Sequence, residues 1–189
     1  RPQKLSDYIS QLHLVGPNGS LTQQIEKGII PSLILWGPPG TGKTTLAQII
    51  AQESKRPFYE LSAINSGVAA IREVIDKAKQ SGGLFTTKNP ILFIDEIHRM
   101  PRTVEEFIYP AMEDFRLDIV LGEGLGARTV SMRLKRFTLI GATTRSGMLS
   151  NPMRDRFKMH EHLDFYSVED LAIIVSANAR KLETHLAPL

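Results

Sequence analysis

The stretch Gly37-Pro38-Pro39-Gly40-Thr41-Gly42-Lys43-Thr44 lies between an apolar run, Leu33 to Trp36, and a helical pattern expected from Lys43 to about Glu53. Strand, glycine-rich turn and helix in that order make a phosphate loop. The glycines let backbone N–H groups turn inward around an anion, and the helix N-terminus adds a favourable dipole. Lys43 is expected to reach the terminal phosphates of a nucleoside triphosphate, and the Thr44 hydroxyl, followed by Thr45, to ligate magnesium. A chance Gly/Pro turn would not fill all the fixed positions of the motif in this context.

Outward from this loop, Ile91 to Ile94 is a second apolar run, and it delivers Asp95-Glu96. In a parallel sheet such carboxylates reach the strand ends, where ligands sit. Asp95 is the expected magnesium holder, and Glu96 the expected group that orients and deprotonates an attacking water. An apolar strand ending in Asp-Glu is common by itself; beside a phosphate loop it specifies a nucleotide triphosphatase. Thr143-Thr144 closes another apolar run, Phe137 to Gly141. A hydroxyl there could sense the γ-phosphate or position the water, or be merely structural. Arg154-Asp155-Arg156 follows Asn151-Pro152, and on its own an RDR cluster also describes a surface salt bridge. His160-Glu161-His162 alternates as a strand does, which makes a metal site conceivable, but no further ligands stand at supporting spacing.

The remaining pattern alternates short strands with helices, the signature of a parallel sheet with crossover helices and of an α/β fold. Phe58 to Leu61 reads as a strand and Leu163 to Phe165 as a weaker one. Helices are expected over Ser66 to Gln80, from Thr103 (capping-box spacing with Glu106) and from Ser167 (with Asp170). Two β-prone segments, Ile119 to Leu121 and Thr129 to Leu134, flank Gly122, Gly124 and Gly126 and predict an inserted hairpin over about 118–134. The nucleotide-binding core is expected over residues 1–165. Residues 166–189 should begin a helical lid that the chain does not complete, and Arg1 in place of Met suggests a piece of something longer.

With 189 residues, 42% hydrophobic and 23% charged, the composition is that of an ordinary globular domain. A net charge of +3 tolerates an acidic partner without arguing for one. There are no cysteines, which excludes disulfides and thiolate metal sites. No apolar run approaches the roughly 20 residues of a membrane helix and no signal peptide opens the chain, so a cytoplasmic setting is expected.

Together these residues resemble the AAA+ ATPases along the whole chain. Within that group the resemblance divides. Arg1-Pro2, Tyr8-Ile9, Gln11, His13-Leu14-Val15-Gly16, Pro31 to Trp36 running into the phosphate loop, and Leu61-Ser62-Ala63 with Ser66-Gly67-Val68 resemble the RarA (MgsA) family of fork-associated clamp-loader relatives. Ser10 stands where that pattern has glycine. From about Asp95 the chain resembles the RuvB family of bacterial Holliday-junction branch-migration motors. The matching runs are Asp95 to Met100, Val104-Glu105-Glu106, Tyr109 to Asp114, Leu117-Asp118-Ile119, 122–128 (GEGLGAR), 137–145 (FTLIGATTR), Pro152, Arg154 to Phe157 and Asp164-Phe165-Tyr166. The split reads as a chimera, a recombined sequence or a divergent member of one family, with a chimera the expectation.

The resemblance implies ATP and Mg2+ as cofactors and a hydrolytic motor for DNA recombination. It implies that Arg1, Pro2, Tyr8 and Ile9 pack on adenine, that Gly37, Pro38, Pro39, Gly40, Thr41 and Gly42 wrap the phosphates, and that Thr144 is the first sensor. Arg156 matches an arginine finger acting in trans, hence a homo-oligomer, hexameric in the parent. The hairpin matches the insertion that docks RuvA, with Ile119, Leu121, Val130 and Met132 as apolar contacts. The lid's second sensor arginine and the domain that holds four-way-junction DNA would lie beyond Leu189, leaving the piece alone with weak or absent turnover and little DNA affinity. The alternatives are a RarA-like fork ATPase and a fragment that binds nucleotide without turnover.

Overall fold

Strands that are apolar at nearly every position can be buried only if both faces of their sheet are covered. A computed structural model describes residues 2–64, 67–80, 89–121 and 128–182 and shows how this is done. In chain order the strands are β1 (Leu33–Trp36), β2 (Phe58–Ser62), β3 (Ile91–Asp95), β4 (Arg116–Leu121), β5 (Arg128–Arg133), β6 (Thr138–Thr143) and β7 (Met159–His162). The helices are α1 (Leu12–Val15), α2 (Ser20–Glu26), α3 (Lys43–Glu53), α4 (Val68–Gln80), α5 (Arg102–Asp114), α6 (Asn151–Asp155) and α7 (Val168–Lys181). Five strands form a parallel sheet in the order β2-β3-β6-β1-β7, and β4 pairs with β5 as a separate antiparallel ribbon.

Although the central strands are uniformly apolar, their side chains alternate between two cores. Leu33, Leu35, Phe93, Ile140 and Ala142 pack with Leu46, Ile49 and Ile50 of α3. Ile34, Leu92, Ile94 and Leu139 join Ile71 of α4 with Val104 and Ile108 of α5 on the other face. The α/β architecture expected from the sequence is the one observed.

Two expectations shift. The last strand is Met159–His162, not Leu163 to Phe165. As an edge strand it needs no continuous apolar run; Leu163 instead donates its N–H to Trp36 O at 2.8 Å and buries its side chain as the chain leaves the sheet. Helix α5 starts at Arg102, one residue before the expected Thr103, with Pro101 at the N-cap and no side-chain cap bond. Proline fixes the entry φ, and Glu106 pairs with Arg102 at 3.1 Å instead of closing a capping box. The box at Ser167 and Asp170, by contrast, forms in full. Helix α4 is helical from Val68, and the expected start at Ser66 lies outside the described residues, as do Arg1, Gly122, Gly124, Gly126 and 183–189.

The ribbon is the hairpin expected between α5 and β6. Its register sets Leu117 opposite Met132 and Ile119 opposite Val130, so these residues share one face. Met132 lies at the root of that face, partly buried and packed against the core that contains Leu117. Val130, further out, is 47% exposed, and Ile119 is half-buried. Leu121 ends β4.

Ser10 and Gln11 are consecutive residues in the left-handed region, with φ of 68° and 57°. A left-handed residue costs about 1–2 kcal/mol when it carries a Cβ, against about 0.5–1 kcal/mol for the extra chain entropy of glycine. Ser10→Gly is therefore expected to stabilise the fold by roughly 0.5–1 kcal/mol. A urea midpoint that rises at constant slope is the expected result, and a fall would show that the Ser10 side chain matters more than its backbone.

Candidate functional site

Strand β1 lies between β6 and β7, and β3 lies on the far side of β6. The loops leaving β1, β3 and β6 therefore open at one sheet edge, where the strand order reverses and ligands of such sheets bind. Lys43, Thr44, Thr45, Asp95, Glu96 and Thr144, with Pro39, Gly40 and Gly42, line a single cleft of about 360 Å³ there. Lys43 and Thr144, 101 positions apart in sequence, thus line the same cleft.

The loop is shaped by close approach. Gly37 continues the sheet by donating its N–H to Thr143 O at 3.2 Å, at a φ of 146°, and a Cβ there would lie 2.1 Å from Leu163 O. Gly42 caps α3 at a φ of 87°, and a Cβ there would sit 2.5 Å from the Tyr8 hydroxyl and 2.8 Å from that of Tyr166. Both phenols donate to Thr41 O, at 3.0 and 3.2 Å. Burial, and next the neighbouring Tyr166, pushes the Tyr8 phenol well above its ordinary range, so it stays a donor. No side chain caps the N-terminus of α3, leaving its first-turn N–H groups to the cleft.

Lys43 folds back on its own loop. Its ammonium donates to Gly37 O at 2.8 Å and Pro38 O at 2.6 Å, with Thr41 Oγ1 at 3.4 Å. Burial lowers its pKa, opposed by the charges of Glu96 and Asp95. Across the cleft, Asp95 Oδ1 accepts the Glu96 N–H at 3.0 Å, and Glu96 holds a left-handed φ of 51°. A buried cation, open helix N–H groups, one hydroxyl and one carboxylate at the strand end suit a polyphosphate anion with a divalent cation.

Beside the cleft, Pro2, Tyr8, Ile9, Tyr166, Ile174 and Asn178 line a larger cavity of about 600 Å³ that also reaches Gly42 and Thr45. Pro2, Tyr8 and Ile9 are the described members of the expected adenine set. Sequence reading gave no role to the side chain that fixes this segment. Gln11 is buried and bonded to the Asp164 backbone in both directions, donating at 2.7 Å and accepting at 3.0 Å. Nor did it assign His98, whose ring lies between Glu96 and Thr143; burial lowers its pKa, opposed by Glu96.

Arg156 lines neither cavity. Its guanidinium pairs with Glu113 at 2.8 Å, donates to Pro152 O at 2.6 Å and stacks 4.1 Å from the ring centre of Tyr109. The three residues considered for a metal are otherwise engaged. His160 contacts Phe157 O, Glu161 accepts from Ser20, and His162 stacks on Trp36 beside Asp164. Among the described residues no group of three potential ligands converges.

Fold and cleft define a phosphate-loop nucleotide-binding domain of the AAA+ type. Residues 1–163 match the family described as the Holliday junction DNA helicase RuvB P-loop domain. The RuvB subunit of the Holliday junction branch migration complex from Rhodopirellula baltica is 42% identical over all of this chain and 50% of its own length. That of Ehrlichia chaffeensis is 44% identical over 99% of this chain and 55% of its own. The Holliday junction branch migration motor RuvB of Thermotoga maritima superposes with a TM-score of 0.75 at 34% identity, over 97% of this chain and 55% of that one. The chain belongs to the RuvB family, and the match runs unbroken across Asp95. It spans about half the length of these relatives.

The paired phenols on Thr41 O give a stability test. Either Tyr8→Phe or Tyr166→Phe leaves the carbonyl one donor and should cost under about 1 kcal/mol, whereas the double variant orphans it at about 1–3 kcal/mol. Denaturant unfolding of all four proteins should show a coupling of at least about 0.5 kcal/mol. Strict additivity would mean that the two bonds act independently.

Proposed function

We propose that the chain is the ATP-binding and ATP-hydrolysing core of a RuvB-like motor that drives Holliday junction branch migration with RuvA. The observation that carries this reading is the single cleft shared by Lys43, Thr44, Asp95, Glu96 and Thr144, in a chain of the RuvB family. Lys43 would leave its loop carbonyls for the β and γ phosphates. Thr44 and Asp95 would hold Mg2+, which supplies neutralisation of the charge that develops on the transferred phosphoryl group. Glu96 would take the proton of the attacking water, and Thr144 would hydrogen-bond the γ-phosphate or that water. Pro2, Tyr8 and Ile9, with Arg1, would receive adenine in the adjoining cavity.

Arg156 would serve a neighbouring subunit, since it lines neither cavity of its own chain. That makes the working form a homo-oligomer, hexameric in the parent. The hairpin face that bears Ile119 and Val130, with Leu121 and Met132, would dock RuvA. Residues 166–189 would begin a lid, and junction DNA would be gripped by further domains. Bacterial cytoplasm is the expected setting, and no described helix is long and apolar enough to cross a membrane. The opening motifs alone support the second reading, a RarA-like parentage of residues 1–94 with work at replication forks. Hydrolysis stimulated by DNA ends and indifferent to RuvA would favour it.

Two experiments on the full-length protein test the motor reading. Lys43→Ala should abolish nucleotide binding, whereas Glu96→Gln should bind ATP with turnover reduced about 10²–10⁴-fold. Arg156→Ala should lose about 10³-fold or more. Mixing inactive Arg156→Ala and Glu96→Gln subunits should restore hydrolysis, because some sites then have Glu96 in the cleft and Arg156 next door. A mixture that stays inactive sinks the trans assignment.

The second is a calorimetric titration with RuvA. Saturable binding that Val130→Asp abolishes supports the hairpin as the docking site. Val130 is the better probe than Met132, whose substitution would disturb the core. A folded, ATP-binding protein that ignores RuvA would favour the fork ATPase.

A further inference from the structure

Immediately after the carboxylates, Ile97–Arg99 make a single 3₁₀ turn with Glu96 at its N-cap. The turn carries His98 inward, leaving its side chain 3% exposed. Its Nδ1 lies 2.8 Å from Thr143 Oγ1, which also accepts the Arg145 N–H at 2.9 Å. Its Nε2 lies 3.5 Å from Glu96 Oε2. Thr143 is fully buried and immediately precedes Thr144.

Hydrogen-bond accounting favours one tautomer. The Arg145 N–H occupies one lone pair of the threonine hydroxyl, whose own proton needs an acceptor inside the protein. His98 Nδ1 is the acceptor within reach, so the ring proton resides on Nε2. The opposite tautomer would orphan the buried hydroxyl proton and turn a nitrogen lone pair towards a carboxylate. The resulting chain runs Arg145 N–H to Thr143 hydroxyl, then to His98, then to Glu96. Glu96 needs such a partner. Its backbone is left-handed, and Arg99, the cation on the same turn, is exposed and 3.8 Å away.

We propose that His98 is a positioning residue for Glu96, fixing the direction of its carboxylate and tying it through Thr143 to the strand end that bears Thr144. The proposal rests on the ATPase reading. At 3.5 Å the contact orients the carboxylate without locking it, leaving room to tighten when a ligand enters. The arrangement gives a route by which a phosphate held at Thr144 alters the group that activates water.

The test uses the full-length protein with His98→Leu, His98→Gln and Thr143→Val, read by kcat, KM, nucleotide affinity from a fluorescent ATP analogue, and thermal melting. Leucine should lower kcat about 10- to 100-fold, the scale of lost outer-shell partners, with KM and affinity within about twofold. Glutamine, whose amide N–H₂ can reach the Nε2 position, should recover most of that loss. Thr143→Val should act in the same direction as leucine but less strongly. A kcat within twofold of wild type for His98→Leu overturns the proposal. So does a loss shared by affinity and melting temperature that glutamine does not repair. Should the leucine protein fail to fold, the other two decide: an active glutamine variant beside an impaired valine one supports the role, and equal behaviour of both removes it. Wild-type protein that never hydrolyses ATP would defeat the ATPase reading itself, a result distinct from an active wild type indifferent to His98.

Discussion

Everything at the cleft depends on the insertion of β6 between β1 and β3. Leu33 to Trp36 pair with Ile140 to Thr143 on one side, and Ile91 to Ile94 pair with Thr138 to Gly141 on the other. Because both pairings are parallel and nearly level, the ends of all three strands lie side by side. The phosphate loop continues β1, the carboxylates end β3 and the threonine pair ends β6. Close packing sets the tolerance: a Cβ at Gly141 would come within 2.9 Å of Ile97, the residue that follows Glu96. A larger residue in the middle strand would displace the Ile97 side chain, on the turn that also carries Glu96 and His98.

Electrostatics within this frame favours a loop ready to exchange partners. A buried ammonium without acceptors would be costly, and Lys43 avoids this by using carbonyls of the loop that is to wrap the anion. Hydrogen bonds to a charged group are worth about 1.5–3 kcal/mol, enough to hold the side chain in place. Phosphate oxygens carry charge where the carbonyls do not, so they form the stronger pairs with the same donor. Tyr8 and Tyr166 hold the adjacent carbonyl meanwhile, coupling the loop to the N-terminal segment and to the residue just before the N-cap of α7.

The parts of this arrangement legible in the sequence are those written in short range. The strands β1, β2, β3 and β6, the phosphate loop and the Ser167 cap each follow from consecutive residues. What escaped depends on distant partners. Gln11 reads as one polar residue among many until the fold brings Asp164, 153 positions away, against it. His98 acquires meaning only from Thr143, 45 positions on. Met132 shows the converse: alternation puts it on the same ribbon face as Val130, but only the fold shows that the root of that face packs partly against the core. The edge strand β7 was misplaced because an edge needs little apolar sequence, and the buried Leu163 beside it is the stronger local signal.

The proposed role of Arg156 raises a question of magnitude, because the residue is already engaged by Glu113 and Tyr109. A partly exposed ion pair contributes about 0–1 kcal/mol, and a guanidinium over an aromatic ring at such a site about 0.5–1 kcal/mol. With the exposed hydrogen bond to Pro152 O at about 0.5–1.5 kcal/mol, leaving this cradle costs about 1–3.5 kcal/mol. An arginine finger worth about 10³-fold in rate stabilises the transition state by about 4 kcal/mol. The cradle is too weak to prevent insertion into a neighbour's site, yet strong enough to keep the side chain extended in one direction while no neighbour is present. Its ion pair would be weakened by salt, whereas the stacking on Tyr109 would persist, so the ring contact is the more durable half of the restraint.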